Sequence, residues 1–166
     1  HLELDRESSL VKLENQLADM VRREVLTPEQ AATVQVEHLL GFLESELGRR
    51  LIDAARVERE IPFSLALPAA EVILEWGAGS TEVEQVLVQG VMDCVFFEDD
   101  GLVLLDYKTD AIEGWYAGGF NEATPILKER YRLQMELYSK AIEKIWQKPI
   151  KDKYLYFFDG GHLLKL

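Results

Sequence analysis

Val86-Leu87-Val88-Gln89-Gly90-Val91-Met92-Asp93-Cys94-Val95-Phe96-Phe97, followed by Glu98-Asp99-Asp100-Gly101 and then Leu102-Val103-Leu104-Leu105-Asp106-Tyr107-Lys108, decides how this chain is read. The two apolar runs are rich in β-branched residues and flank an acidic, glycine-ended turn, which predicts a β-hairpin. Working upstream, Glu58-Arg59-Glu60-Ile61-Pro62-Phe63-Ser64-Leu65-Ala66-Leu67 alternates and reads as a third strand. It belongs near a sheet edge, because Pro62 has no N–H to give to a ladder. Residues 68–82 read as irregular, with a loop at Gly77-Ala78-Gly79-Ser80. Leu10, Leu13, Leu17, Met20 and Val21 recur at helical spacing and predict a helix over residues 9–25. Thr27-Pro28-Glu29-Gln30 is a capped start for a second helix, whose stripe of Val36, Leu39, Leu40, Leu43 and Leu47 runs to Gly48. Downstream of the hairpin, Thr124-Pro125 opens a long helix to about residue 146, with Tyr131, Gln134, Tyr138, Ala141 and Ile145 facing inward. Tyr154-Leu155-Tyr156-Phe157-Phe158, Asp159-Gly160-Gly161 and the final five residues form a closing hairpin. Helices, three strands, a helix and two strands predict an α/β sandwich with a mixed central sheet flanked by helices. The helical part is residues 1–55 and the sheet-bearing core 56–166, in one domain.

Composition narrows the chemistry. The 166 residues contain one cysteine, Cys94, which excludes an internal disulfide scaffold and any metal cluster built on several thiolates. Cys94 reads as a small core residue in a reducing, cytoplasmic setting. No apolar run is long enough to suggest a membrane span. The net charge of −12 argues against a protein that captures nucleic acid from solution by a basic surface. The charge is uneven, however. Residues 1–121 carry 9 basic and 24 acidic side chains, whereas residues 122–166 carry 9 basic and 6 acidic. Lys128, Arg130, Arg132, Lys140 and Lys144 therefore fit either a DNA-facing helix or an ordinary solvated one.

Two acids and a lysine stand out. Asp93 interrupts an apolar strand, and Asp106-Tyr107-Lys108 closes its partner. Counted from the turn, Asp93 and Asp106 fall at comparable heights on neighbouring strands. Asp106 and Lys108, two apart, share a face. Two carboxylates suit a hard divalent ion such as Mg²⁺, a bound water gains nucleophilicity from such an ion, and a nearby lysine can neutralise charge on a phosphate. Metal-assisted phosphodiester hydrolysis is the reaction this set supports. The same residues also fit a surface ion pair between Asp106 and Lys108, with Asp93 turned to solvent.

Gly90-Val91-Met92-Asp93, Asp106-Tyr107-Lys108-Thr109-Asp110 and Gln134-Met135-Glu136-Leu137-Tyr138, in that order, resemble the three motifs of the RecB-like nucleases of the restriction-endonuclease-like superfamily. Stretches similar to Arg59–Leu65 and Tyr154–Gly161 extend the likeness to the nuclease domain of AddA-type helicase–nuclease subunits, over about Leu10–Leu166. The resemblance implies a restriction-endonuclease-like core. It implies metal ligands at Asp93, Asp106 and the Tyr107 carbonyl, with Lys108 catalytic. Gln134 and Tyr138 would line the site and place Lys108 or the DNA backbone, and Glu60 and Asp110 would support strand and loop. It further implies a Mg²⁺-dependent deoxyribonuclease (Mn²⁺ substituting), an exonuclease acting on single-stranded DNA in double-strand break repair and recombination. ATP is then used by a helicase part outside these residues, and the partners are DNA and an AddB-type subunit in a heterodimer. The family's metal-binding histidine lies upstream of everything here, so the chain reads as a C-terminal piece, with His1 resembling a second, following histidine. His38 and His162 read as surface or packing residues. Two rivals belong beside this reading: a catalytically silent nuclease-like scaffold or DNA guide in the same assembly, and a free-standing restriction-type endonuclease.

Overall fold

The computed structural model describes residues 2–69 and 84–166, so the expected loop at Gly77–Ser80 lies outside the described residues. Five strands form one mixed sheet in the order β1-β2-β3-β4-β5: β1 (Arg56–Pro68), β2 (Gln85–Glu98), β3 (Gly101–Lys108), β4 (Ile150–Phe157) and β5 (His162–Lys165). All neighbours are antiparallel except β3 and β4, which run parallel, the crossover being made through the long helix α5 (Gly119–Trp146). β3 is central and buried from Gly101 to Asp106, as a strand covered on both faces must be. β1 is an edge, where Pro62 costs no ladder bond.

One face of the sheet carries α5. Phe63, Leu65, Met92, Leu104, Leu127 and Phe157 are among the residues of that cluster. The other face carries α1 (Leu10–Arg22), α2 (Pro28–Ala32), α3 (Val36–Glu44) and α4 (Glu46–Asp53). There Leu13, Phe42, Leu47, Cys94, Phe96 and Leu105 pack together.

The single helix expected over 28–48 is three. Thr27 and Gln30 form a reciprocal capping box, but α2 stops at Ala32, where the Thr33 hydroxyl donates to the Gln30 carbonyl at 2.7 Å. A second break falls at Ser45, which is extended (φ −66°, ψ 163°). Its hydroxyl donates to the Phe42 carbonyl at 2.6 Å and accepts the Gly48 N–H at 3.0 Å, ending one helix and capping the next. Local side-chain bonds of this kind compete with helix continuation. Gly48, expected as a helix end, lies inside α4, where a Cβ would run into the Phe42 carbonyl oxygen. Only glycine allows that approach.

Helix α5 begins at Gly119, earlier than Thr124-Pro125, and carries Pro125 in its second turn. The Thr124 hydroxyl donates to the Phe120 carbonyl at 2.7 Å there. Of the expected inward stripe, Ile145 is 49% exposed; the last turn instead sets Trp146 edge-on to Phe97, with ring centroids 5.6 Å apart. At the turn end of the hairpin, Arg50 of α4 binds both oxygens of Glu98 (2.8 and 3.1 Å), Asp152 (2.8 Å) and the Tyr154 hydroxyl (3.0 Å). That guanidinium ties the helical layer to β2 and β4. Among the described residues no helix is long and apolar enough to cross a membrane.

Candidate functional site

The β2–β3 ladder runs from Glu98–Gly101 to Cys94–Leu105 and stops. One step further stand Asp93 and Asp106. β3 continues to pair with β4 as far as Lys108–Phe157, so β2 and β3 part company at this level while β3 stays in the sheet. Asp93 fills the break: its Oδ2 accepts the Tyr107 N–H at 2.8 Å, a side chain standing where a strand carbonyl would be. β1 is interrupted at the same height. Its pairs pass from Arg59–Cys94 to Ile61–Met92, and Glu60 between them has φ +52°. Left-handed geometry at a residue with a side chain costs about 1–2 kcal/mol. The effect is a change of facing: Val57, Cys94 and Phe96 pack with the helical layer, whereas Ile61, Phe63 and Met92 pack towards α5. The sheet is thus opened and turned where the two carboxylates stand.

Asp106 is 2% exposed. Its Oδ2 lies 2.5 Å from Lys108 Nζ as an ion pair but has no hydrogen bond of regular geometry. Burial pushes its carboxyl above the ordinary range, Lys108 opposes that, and the nearby Asp93 adds to it. A buried carboxylate facing a second carboxylate is the arrangement that a divalent cation relieves. The donor set fits such an ion: two carboxylates and a main-chain carbonyl are hard oxygen ligands, and Mg²⁺ keeps several waters or substrate oxygens beside one or two carboxylates. Among the described residues no three His, Cys, Asp or Glu side chains gather around one point.

Helix α5 frames the other side. Gln134 Oε1 accepts from Lys108 Nζ at 2.9 Å, and Gln134 Nε2 donates to the Tyr138 hydroxyl at 2.9 Å. That hydroxyl donates to the Val91 carbonyl at 2.9 Å. The chain Lys108–Gln134–Tyr138–Val91 therefore closes on β2, two residues before Asp93. Tyr138 also meets Phe63 of β1 edge-on, with centroids 5.5 Å apart. The helical spacing of Gln134 and Tyr138 puts both on one face, as an i, i+4 pair must be.

The sequence-derived residues thus converge: Asp93, Asp106, Lys108, Gln134 and Tyr138 form one connected cluster, and Tyr107 joins it through its main chain. Asp110 sits at the margin, accepting from Arg130 Nη1 at 2.7 Å and from the Tyr131 hydroxyl at 2.6 Å. Glu60 is exposed and bends the strand. His162 stacks on Phe120 (centroids 4.4 Å apart), and His38 lines a groove with Asp159 on the helical side. His1 lies outside the described residues. Cys94 is fully buried, its thiol pushed up to about 12 by desolvation. Of the basic residues on α5, Arg130 is held by Asp110, and Arg132 pairs with Glu129 and Glu136.

Sequence reasoning missed the role of Tyr131. Its ring, read only as part of the inward stripe, lies with its centroid 4.1 Å from Lys108 Nζ. The signal was present, since Tyr131, Gln134 and Tyr138 are spaced by three and four. It also missed Val91, which acts through its carbonyl and so leaves no trace in residue type.

The sequence model of the PD-(D/E)XK nuclease superfamily matches residues 2–163. An ATP-dependent helicase/nuclease subunit of Bacillus cytotoxicus is 48% identical over all 166 residues, which make up 13% of that protein. The proteins of the same name from Bacillus cereus and Bacillus thuringiensis are also 48% identical, with the same coverage of both chains. The chain spans about an eighth of the length of the curated relatives it matches.

Proposed function

Because this chain belongs to the PD-(D/E)XK nuclease superfamily, we propose that it is a Mg²⁺-dependent DNA nuclease domain that cuts single-stranded DNA fed to it by a helicase motor. The observation that carries the reading is the convergence of Asp93, the buried Asp106 with its Oδ2 ion-paired to Lys108, and Lys108 itself at the point where β2 and β3 separate. In this reading Asp93, Asp106 and the Tyr107 carbonyl hold the ion. Such an ion supplies, when bound, a water of lowered pKa and polarisation of a phosphoryl oxygen. The chain's own residues do the rest. Lys108, held between Asp106 and Gln134, presents its ammonium to the scissile phosphate and offsets the negative charge that builds there. Gln134 and Tyr138 fix the lysine's reach by anchoring it to the Val91 carbonyl. β2 and β3 are unpaired with each other beyond Cys94–Leu105, the level at which both carboxylates stand.

The relatives' name joins an ATP-dependent helicase to a nuclease in one subunit, which supports delivery by a motor that uses ATP and the presence of a partner subunit. Exonucleolytic cutting in double-strand break repair, with an AddB-type partner, rests on the motif resemblance alone. Motor delivery also accommodates the acidic balance of −12, since the domain then has no need to draw DNA from solution. The test is Lys108→Ala in the full-length protein, followed by cleavage of an end-labelled duplex with ATP and Mg²⁺. Loss of cutting by about 10²-fold or more with unwinding retained is expected of a charge-stabilising group. Undiminished cutting would leave the domain a silent scaffold.

A further inference from the structure

Lys108 is enclosed from three sides, and one of them is not part of the motif that identifies the site. Asp106 Oδ2 and Gln134 Oε1 approach its ammonium at 2.5 and 2.9 Å. The third side is the face of the Tyr131 ring, 4.1 Å from Nζ to the centroid, well inside cation–π range. That ring is itself fixed. Its hydroxyl donates to Asp110 Oδ2 at 2.6 Å, while Arg130 Nη1 holds Asp110 Oδ1 at 2.7 Å. Phe157 flanks the ring, with centroids 6.3 Å apart. Burial and the Asp110 carboxylate push the Tyr131 phenol up to about 12, so it remains the donor in that bond.

We infer that Tyr131, locked by Asp110, is a positioning residue for Lys108: its ring face holds the ammonium in the direction of the scissile phosphate, and the loop after β3 is tied to α5 to keep the ring in place. This rests on the nuclease reading of the same site. It gives Asp110 a purpose beyond loop support, since one carboxylate links the end of β3 to the ring that packs on the last residue of that strand. An ammonium on a four-carbon stem has many rotamers to lose, and two acceptors alone leave it free to swing about the line between them. A π face closes the third direction without neutralising the charge.

The test is a fluorination series at position 131 in the full-length protein: Tyr131→Phe, then 4-fluoro-, 3,5-difluoro- and 3,4,5-trifluorophenylalanine in its place. These rings are near-isosteric, so packing is kept while the negative charge of the ring face is progressively withdrawn. With a labelled single-stranded oligonucleotide and Mg²⁺, kcat falls stepwise, by about 2- to 30-fold across the series. From Tyr131→Phe onward, every ring lacking the Asp110 bond alike, KM and the melting temperature stay level. Tyr131→Leu gives the largest loss, and in a Lys108→Ala background neither Leu nor trifluorophenylalanine lowers cutting further. A flat series, or losses of kcat that follow losses of melting temperature, overturns the inference. If Lys108→Ala itself cuts like the parent, it is the nuclease reading that fails, and the ring series is then flat for that reason.

Discussion

Gly90→Ala tests how closely strand packing governs the placement of Lys108. A Cβ at position 90 would meet Phe63 Cε1 at 2.8 Å and Cζ at 3.2 Å, and Tyr138 Cε1 at 3.7 Å. The first contact is too short to stand, so the Phe63 ring must move. Phe63 is only 7% exposed and lies edge-on to Tyr138, so the ring moves at the expense of Tyr138. Overpacking of this kind costs about 1–3 kcal/mol. For a domain of this size that corresponds to a melting temperature lower by about 2–12 °C. The functional consequence travels further. Tyr138 bonds both Gln134 and the Val91 carbonyl, and Gln134 holds Lys108, so a displaced Tyr138 loosens the lysine. Expected results are a lower melting temperature by calorimetry and a kcat reduced by about tenfold at unchanged KM, the size of effect a small misplacement produces. Phe63→Leu in the Gly90→Ala background makes room for the new methyl and returns part of both losses. The reasoning is refuted if Gly90→Ala melts and cuts like the parent, or if Phe63→Leu adds its own cost without any recovery.

Mn²⁺ or Mg²⁺ at about a hundred times its dissociation constant should stabilise the protein by about 2.7 kcal/mol, a rise in melting temperature of about 5–10 °C. Asp93→Ala and Asp106→Ala abolish the rise; a parent that melts identically with and without ion, or variants that still respond, would remove the carboxylate pair as a metal site. Arg50→Met should destabilise by about 1.5–3 kcal/mol, because Glu98, Asp152 and Tyr154 lose charged hydrogen bonds together. Arg50 holds the Glu98 carboxyl below its ordinary range, and Lys165, then Arg50, do the same for Asp152. A carboxyl with a depressed folded pKa contributes stability that is present above its unfolded pKa and lost as pH falls through the folded one. Acid unfolding of the parent should therefore steepen below the ordinary carboxylate range, and Arg50→Met should flatten that limb. Parallel pH profiles would count against the network.

The hairpin and the sheet-facing stripe of α5 were legible because each is a local periodicity, and the acids and lysine stood out as charges within apolar strands. Aligning Asp93 with Asp106 needed only a count from the turn at Glu98–Gly101, since antiparallel register is set by the turn. The break of the second helix was hidden because Ser45 reads as helix-tolerant until its hydroxyl is seen serving both Phe42 and Gly48. Glu60 gave no sign of φ +52°, as glutamate is an ordinary strand residue and the bend is imposed by packing on two different layers. Arg50 finds Asp152 and Tyr154 about a hundred residues away, and no spacing rule reaches that far.

The Asp93 carboxylate, standing in for a missing strand carbonyl, makes the peptide group before Tyr107 part of the site's architecture. The N–H of that group points at Asp93, and the same short segment carries both Asp106 and the Tyr107 carbonyl. Losing the Asp93 side chain therefore removes a proposed ligand and strands a main-chain donor in one stroke. Asparagine separates the two: its amide oxygen can keep the Tyr107 bond while the negative charge is gone. The exchange rate of the Tyr107 amide proton, slow wherever an acceptor stands at 93, is thus a built-in gauge of whether the acidic strand still holds the lysine strand in register.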